Sequence, residues 1–204
     1  MSVGVFLGIG SSSGDADEVA KTRQLVSAAL TAAGLPDYVE TDDLAAAGAR
    51  YDELSTQART NDHGIESASL KVLARIIMRA RGTQAGPFND FATRAEQLFV
   101  PGDFTQRVDA PGLPSRCVWS TGALHSALRL AALTLGLPLA NNDVPPNVIK
   151  LVAAHKKLGK NDPASDEPDD YGFSMVGHYR PEWLTLWEFT RIAHEQKLAL
   201  VLAT

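Results

Sequence analysis

The stretch Val3-Gly4-Val5-Phe6-Leu7-Gly8-Ile9-Gly10-Ser11-Ser12-Ser13-Gly14 decides the fold. Val3–Ile9 is short, apolar and bounded by glycine, the signature of a buried strand. Ser11–Gly14 reads as a turn, and Asp15 or Asp17 can cap the helix that follows. That helix places Val19, Leu25, Val26, Ala29 and Leu30 on or near one face and runs to about Ala33. Gly34 then supplies a C′ residue, and Pro36 prevents resumption. Tyr38–Glu40 reads as a second short strand. Such a strand–helix–strand opening predicts an α/β or α+β fold, a mixed β-sheet covered by helices.

The rest of the chain continues the alternation. Thr41–Gly64 is ambiguous, with helix-favouring alanines interrupted by Gly48, Asn61 and Gly64. Ser67–Arg81 is a helix, with Leu70, Leu73, Ile76, Ile77 and Ala80 on its apolar face, and Gly82 ends it. Gly82–Asn89 reads as a loop. Leu98–Val100 and Arg116–Trp119 read as strands, joined by a link holding Pro101, Gly102, Pro111, Gly112 and Pro114. Thr121–Leu135 is a helix closed by Gly136 and Pro138. Pro146 suits the first turn of another, running to about Leu158. Phe173–Val176 reads as a strand, Pro181 opens a helix to about Lys197, and Leu198–Leu202 is a closing strand buried in the main sheet.

The chain has 204 residues, 45% hydrophobic and 21% charged, which fits one globular domain over residues 1–204. A net charge of −5 argues against general nucleic-acid binding, which needs surplus cations to release counterions from phosphate. Cys117 is the only cysteine, so no intrachain disulfide and no Cys-rich zinc site can form. A reducing cytoplasm is the expected location. No apolar run approaches the roughly 20 residues a bilayer span requires.

Five features carry candidate chemistry. Gly8, Gly10, Ser11, Ser12, Ser13 and Gly14 lie between strand and helix, where glycines allow close backbone approach and free N–H groups attract anions. The spacing is Gly-x-Gly-x-x-x-Gly rather than the dinucleotide fingerprint, and no P-loop lysine follows. Glu40 and Asp42 sit where a ribose-binding acid would lie. Asp15, Asp17 and Glu18 already complement the helix dipole and repel phosphate.

Ser120, Thr121 and Gly122 form a second strand-to-helix turn. It lacks the first glycine of a nucleophile elbow, so helix capping is the favoured reading. The Pro/Gly-rich link offers no crossover helix, so the strands preceding the two turns are expected to run antiparallel, with the turns at opposite sheet edges. Cys117 with His125 and Asp103 is a candidate dyad, but Cys117 and Trp119 point to one strand face and read as core. His63, His125, His155, His178 and His194 show no His-x-x-x-His spacing, so no metal site is expected.

The fifth feature is charge. Lys71, Arg75 and Arg79 make a basic stripe that reads as a solvated helix face. Asp162, Asp166, Glu167, Asp169 and Asp170 form an acidic loop able to steer a basic partner. Trp183–Phe189 reads as an exposed aromatic helix.

The order Val100-Pro101-Gly102-Asp103-Phe104, strand, Ser-Thr-Gly turn and helix, then Trp-bearing helix and closing strand resembles small bacterial proteins. Similar small acidic proteins include toxin-neutralising immunity proteins. The resemblance covers less than half of the chain and transfers no functional residue. Every catalytic constellation being incomplete, the expected function is a cytosolic, non-catalytic, cofactor-free protein-binding factor, immunity-like or regulatory. The alternative is a small enzyme or sensor that binds a phosphorylated ligand or nucleotide at Gly8–Gly14.

Overall fold

The computed structural model describes residues 2–60, 63–150, 152 and 179–204. Six strands form one mixed sheet: β1 (Ser2–Leu7), β2 (Gly64–Glu66), β3 (Gln97–Val100), β4 (Val108–Asp109), β5 (Cys117–Ser120) and β6 (Leu200–Ala203), in the order β2-β1-β6-β3-β5-β4. The principal helices are α1 (Ala16–Ala32), α2 (Leu44–Ser55), α3 (Ser67–Arg81), α4 (Phe88–Phe91), α5 (Thr121–Thr134) and α6 (Arg180–Gln196). A helical segment is also described over 146–150. No described helix is long and apolar enough to cross a membrane.

The helix signals act as their chemistry dictates. The Asp15 side chain accepts from the N–H groups of Asp17 and Glu18 and caps α1. Gly34, at φ +69°, supplies the left-handed residue past its end. Ser67–Arg81 is helical over the span its periodicity predicts, and Arg75 and Arg79 are exposed on it.

Sheet alternation divides the core in two. Leu98, Val100 and Val118 pack with Val19, Val26 and Leu30 of α1. Phe99 and Cys117 pack with Leu124 and Leu128 of α5, and with Trp183 and Trp187 of α6. Helices α1 and α5 therefore cover opposite faces.

Four expectations are corrected. Tyr38–Glu40 is not a strand. The Tyr38 hydroxyl and the Glu40 carboxylate are taken up by polar partners while Val39 is exposed, and the segment pairs with no described strand. The Gly82–Asn89 stretch is not wholly loop, since it holds a 3-10 turn and the start of α4. The helix Trp183–Phe189 is not exposed: Trp183, Trp187 and Phe189 are all buried, as is every residue from 183 to 190. Helix α6 packs against both α5 and the sheet, so apolar residues occupy more than one of its faces.

The fourth correction concerns strand direction. β3 and β5 are parallel, although no helix joins them. The connection instead passes beyond β5, lays β4 antiparallel on its outer side, and turns back into β5. A two-residue strand does the work of the crossover. Because β1 is antiparallel to β6 and β6 to β3, strands β1, β3 and β5 all point one way. Both glycine-bearing turns therefore open at the same sheet edge, not at opposite edges. Two strands and the sheet itself still separate them, because α1 and α5 lie on opposite faces. The expected helix beyond residue 152, the strand Phe173–Val176 and the acidic stretch Asp162–Asp170 lie outside the described residues.

Candidate functional site

The Gly8–Gly14 turn leaves β1 at Gly8, whose φ of +92° favours glycine, and tightens into a 3-10 turn at Ile9–Ser11. Two backbone N–H groups thereby converge. Both donate to the Glu40 carboxylate, Ile9 at 2.8 Å and Gly10 at 2.7 Å. The Arg23 guanidinium donates to the same group at 2.9 Å and the Tyr38 hydroxyl at 2.9 Å. Burial alone would raise the Glu40 carboxyl. The donors Gly10 N–H, Arg23, Ile9 N–H and Tyr38 outweigh it and hold the group below the usual glutamate value. Burial, and after it the Glu40 charge, push the Tyr38 hydroxyl well above its ordinary value. This is a complete carboxylate receptor, and the carboxylate belongs to the chain itself. Ser11 and Ser12 donate to the carbonyls of Leu7, Gly8 and Ile9, and Ser13 to Glu18.

Two results are expected here. A Cβ at Gly10 would sit 2.7 Å from the Ala47 Cβ and 3.0 Å from the Arg23 guanidinium, so Gly10→Ala destabilises by about 2 kcal/mol, as overpacking does. The second result concerns pH. A carboxyl held below its unfolded value stabilises the fold above that value, and this stabilisation is lost as pH falls through the folded value. Denaturant midpoints should therefore drop on acidification through the carboxylate range, and Glu40→Gln should flatten that dependence.

The second turn is a cap. The Ser120 hydroxyl accepts from Ala123 N–H at 2.9 Å and donates to the Phe104 carbonyl at 2.6 Å, so its proton is engaged within the turn. Gly122 N–H donates to the Gly102 carbonyl at 3.0 Å, so this helix start is also satisfied from within. Thr121 lies buried, with Oγ1 3.2 Å from His194 Nδ1.

Cys117 is buried, its thiol bonded to the Ser115 carbonyl. Burial first, and the neighbouring Asp90 carboxylate next, push the thiol up to about 11 against the opposing effect of Arg107. His125 packs instead on Trp187 and His194, and forms no dyad with it. Native protein at neutral pH should resist alkylation at Cys117, and Cys117→Ala should cost about 1 kcal/mol through lost packing. Rapid labelling of the folded protein would contradict this.

Sequence reasoning missed a polar assembly at the end of α5 and α6. Asn141 and Asn142 both adopt positive φ, and Ala140 and Asp143 exchange backbone hydrogen bonds across them, the arrangement of a primed tight turn. The turn delivers Asp143 to Arg59, which lies after α2. The Arg59 guanidinium reaches Asp143 at 2.9 Å and Glu188 of α6 at 2.7 Å, and its backbone N–H also donates to Glu188. Arg191 donates to Glu188 at 3.2 Å and to Glu195 at 3.0 Å. Beside this network, His125, Asn142, Asp143, Trp187, Arg191 and His194 line a cleft of about 240 Å³. Burial first, then the charges of His194 and Arg129, lower the His125 imidazole and favour its neutral form. The adjacent Asn141-Asn142 pair was the one local signal of this turn.

Comparison with protein families, with curated proteins and with solved structures finds no match for the chain.

Proposed function

We propose that the chain is a non-catalytic protein-binding factor, immunity-like or regulatory, that engages a basic partner protein. The observation supporting this reading is the occupation of the Ile9 and Gly10 N–H groups by Glu40. The anion receptor most suited to a phosphorylated substrate is committed to holding the fold together. The acidic residues Asp162, Asp166, Glu167, Asp169 and Asp170 supply charge complementary to a basic surface.

A second reading places a phosphorylated ligand or nucleotide beside the same turn. It is favoured by two cavities bordering Ser12 and Ser13, of about 400 Å³ and about 600 Å³. A thermal-shift series with nucleotides and inorganic phosphate separates the readings. No shift is expected under the first. A saturable rise in Tm, abolished by alanine at Ser12 and Ser13, would put the second in its place. For the first reading, a partner identified by cross-linking should bind in a salt-sensitive way. Neutralising the five acids to Asn and Gln should weaken that binding, and indifference to both changes would overturn it.

A further inference from the structure

We propose that the cavity of about 400 Å³ between α1 and the sheet binds a small amphipathic organic cation, an aliphatic ammonium or guanidinium compound. The inference stands apart from the protein-binding reading and does not depend on it.

The floor comes first. Along β6, Leu200 and Leu202 are buried on the α5 face, so Val201 and Ala203 look toward α1. β6 lies inside the sheet, yet both of these residues are only half-buried. Helix α1 packs over Leu98, Val100 and Val118, and α2 packs on β1, which leaves Val201 and Ala203 to line the cavity. Val19, Leu98 and Leu113 extend the aliphatic surface, and no lining residue is aromatic. Such a surface takes up an alkyl body by burial rather than stacking.

Second, the charge on the walls has one sign. Glu18 of α1 and Glu96, just before β3, both line the cavity, and no lysine, arginine or histidine does. Glu18 accepts from Ser13 and Glu96 from Thr204, neutral hydroxyls that leave both charges uncompensated. Asp15 and Asp17, exposed at the same helix start, add to the negative field. No three His, Cys, Asp or Glu side chains among the described residues are placed to share a metal ion. A cation with an apolar body therefore fits where a bare ion does not.

Third, the lining hydroxyls have committed their protons. Ser12 donates to the Ile9 carbonyl at 2.8 Å, Ser13 to Glu18 at 2.7 Å, Ser115 to the Cys117 carbonyl at 2.7 Å and Thr204 to Glu96 at 2.9 Å. What these oxygens still offer a ligand is a lone pair. An ammonium or guanidinium group brings only donors, whereas a phosphate or carboxylate needs the donors that are already engaged. The chemistry of this cavity thus runs against the phosphorylated ligand of the second reading.

The test is an amide-resolved NMR titration of the full chain with n-hexylammonium and, as the matched anion, hexanoate. One saturable site is expected for the amine, centred on Thr22, Val201 and Ala203, and none for hexanoate. Shortening the amine to n-butylammonium should weaken binding roughly fifteenfold, about fourfold for each lost methylene. Glu18→Gln with Glu96→Gln should lower affinity about tenfold, as the loss of two solvent-facing ion pairs does. Asp52→Asn, exposed on α2, should leave it unchanged. Ala203→Leu should fill the floor and abolish binding. Glu18 is exposed and Glu96 half-buried, so the Gln pair keeps the test decisive where Ala203→Leu disturbs β6. Absence of saturable amine binding, equal binding of hexanoate, or affinity undiminished in the Gln pair would overturn the proposal. So would inorganic phosphate displacing the amine from the same residues.

Discussion

Deletion of Leu198–Thr204 is expected to abolish cooperative folding. This segment holds β6, an interior strand of the sheet, which pairs with β1 through Gly4–Leu7 and with β3 through Gln97–Phe99. Its removal leaves two strands with unpaired edges in the middle of the sheet, where no water can satisfy them. Leu198, Leu200 and Leu202 are also buried, and each contributes roughly 1.5–3 kcal/mol by its removal from water. A domain's whole margin is about 5–15 kcal/mol, so the loss of packing and pairing together exceeds what the fold can spare. Far-UV circular dichroism on heating should show no sigmoidal transition for the truncated chain. A soluble product with an unchanged Tm would refute the assignment. Leu200→Asp provides a full-length check, since it places a charge on the same buried strand and should have nearly the same outcome.

Arg59→Ala is the second large effect expected. Glu188 is 0% exposed, and Arg59 supplies its bidentate partner together with a backbone N–H. Without the guanidinium, the buried carboxylate keeps only the backbone N–H of residue 59 and Arg191 as partners. Breaking a buried pair from one side costs about 3–5 kcal/mol. The lower end applies, because the Arg59 side chain is 31% exposed and partly screened. Replacing both members, as Arg59→Met with Glu188→Met, removes the stranded charge and should recover much of the stability. Urea midpoints at constant m-value measure both. A loss below about 1 kcal/mol in Arg59→Ala would show that the network does not hold the turn, α2 and α6 together.

What the sequence made legible was local. Ser67–Arg81 declared itself because apolar residues recur at the helical period and Gly82 stops them. Asp15 and Ser120 declared themselves because a short acceptor before a helix has one obvious use. Strand order was not legible. The parallel β3–β5 pair depends on where the Pro101–Pro114 link goes, and its composition reads as irregular chain whether or not β4 lies within it. The exposed reading of Trp183–Phe189 failed for a different reason. Trp183, Leu184, Leu186, Trp187 and Phe189 cover several faces, a pattern that signals all-round burial. At the candidate sites, Glu40 was visible as an acid in a suggestive place, but not as the occupant of the glycine turn. Arg59 and Glu188 are far apart in the chain, and nothing in the neighbourhood of either announces the other.

The place of β6 also governs when the sheet can be made. Among the described elements it leaves the ribosome last, yet Ala203 pairs with Gly4 near the beginning. The growing polypeptide therefore cannot assemble its sheet strand by strand as it emerges. Helical pairs such as α3 and α4 can form early, while β1 and β3 wait with bare edges until the closing segment arrives. Joining partners almost the full chain apart makes that last step slow, and the waiting nascent chain is the form most dependent on chaperone cover.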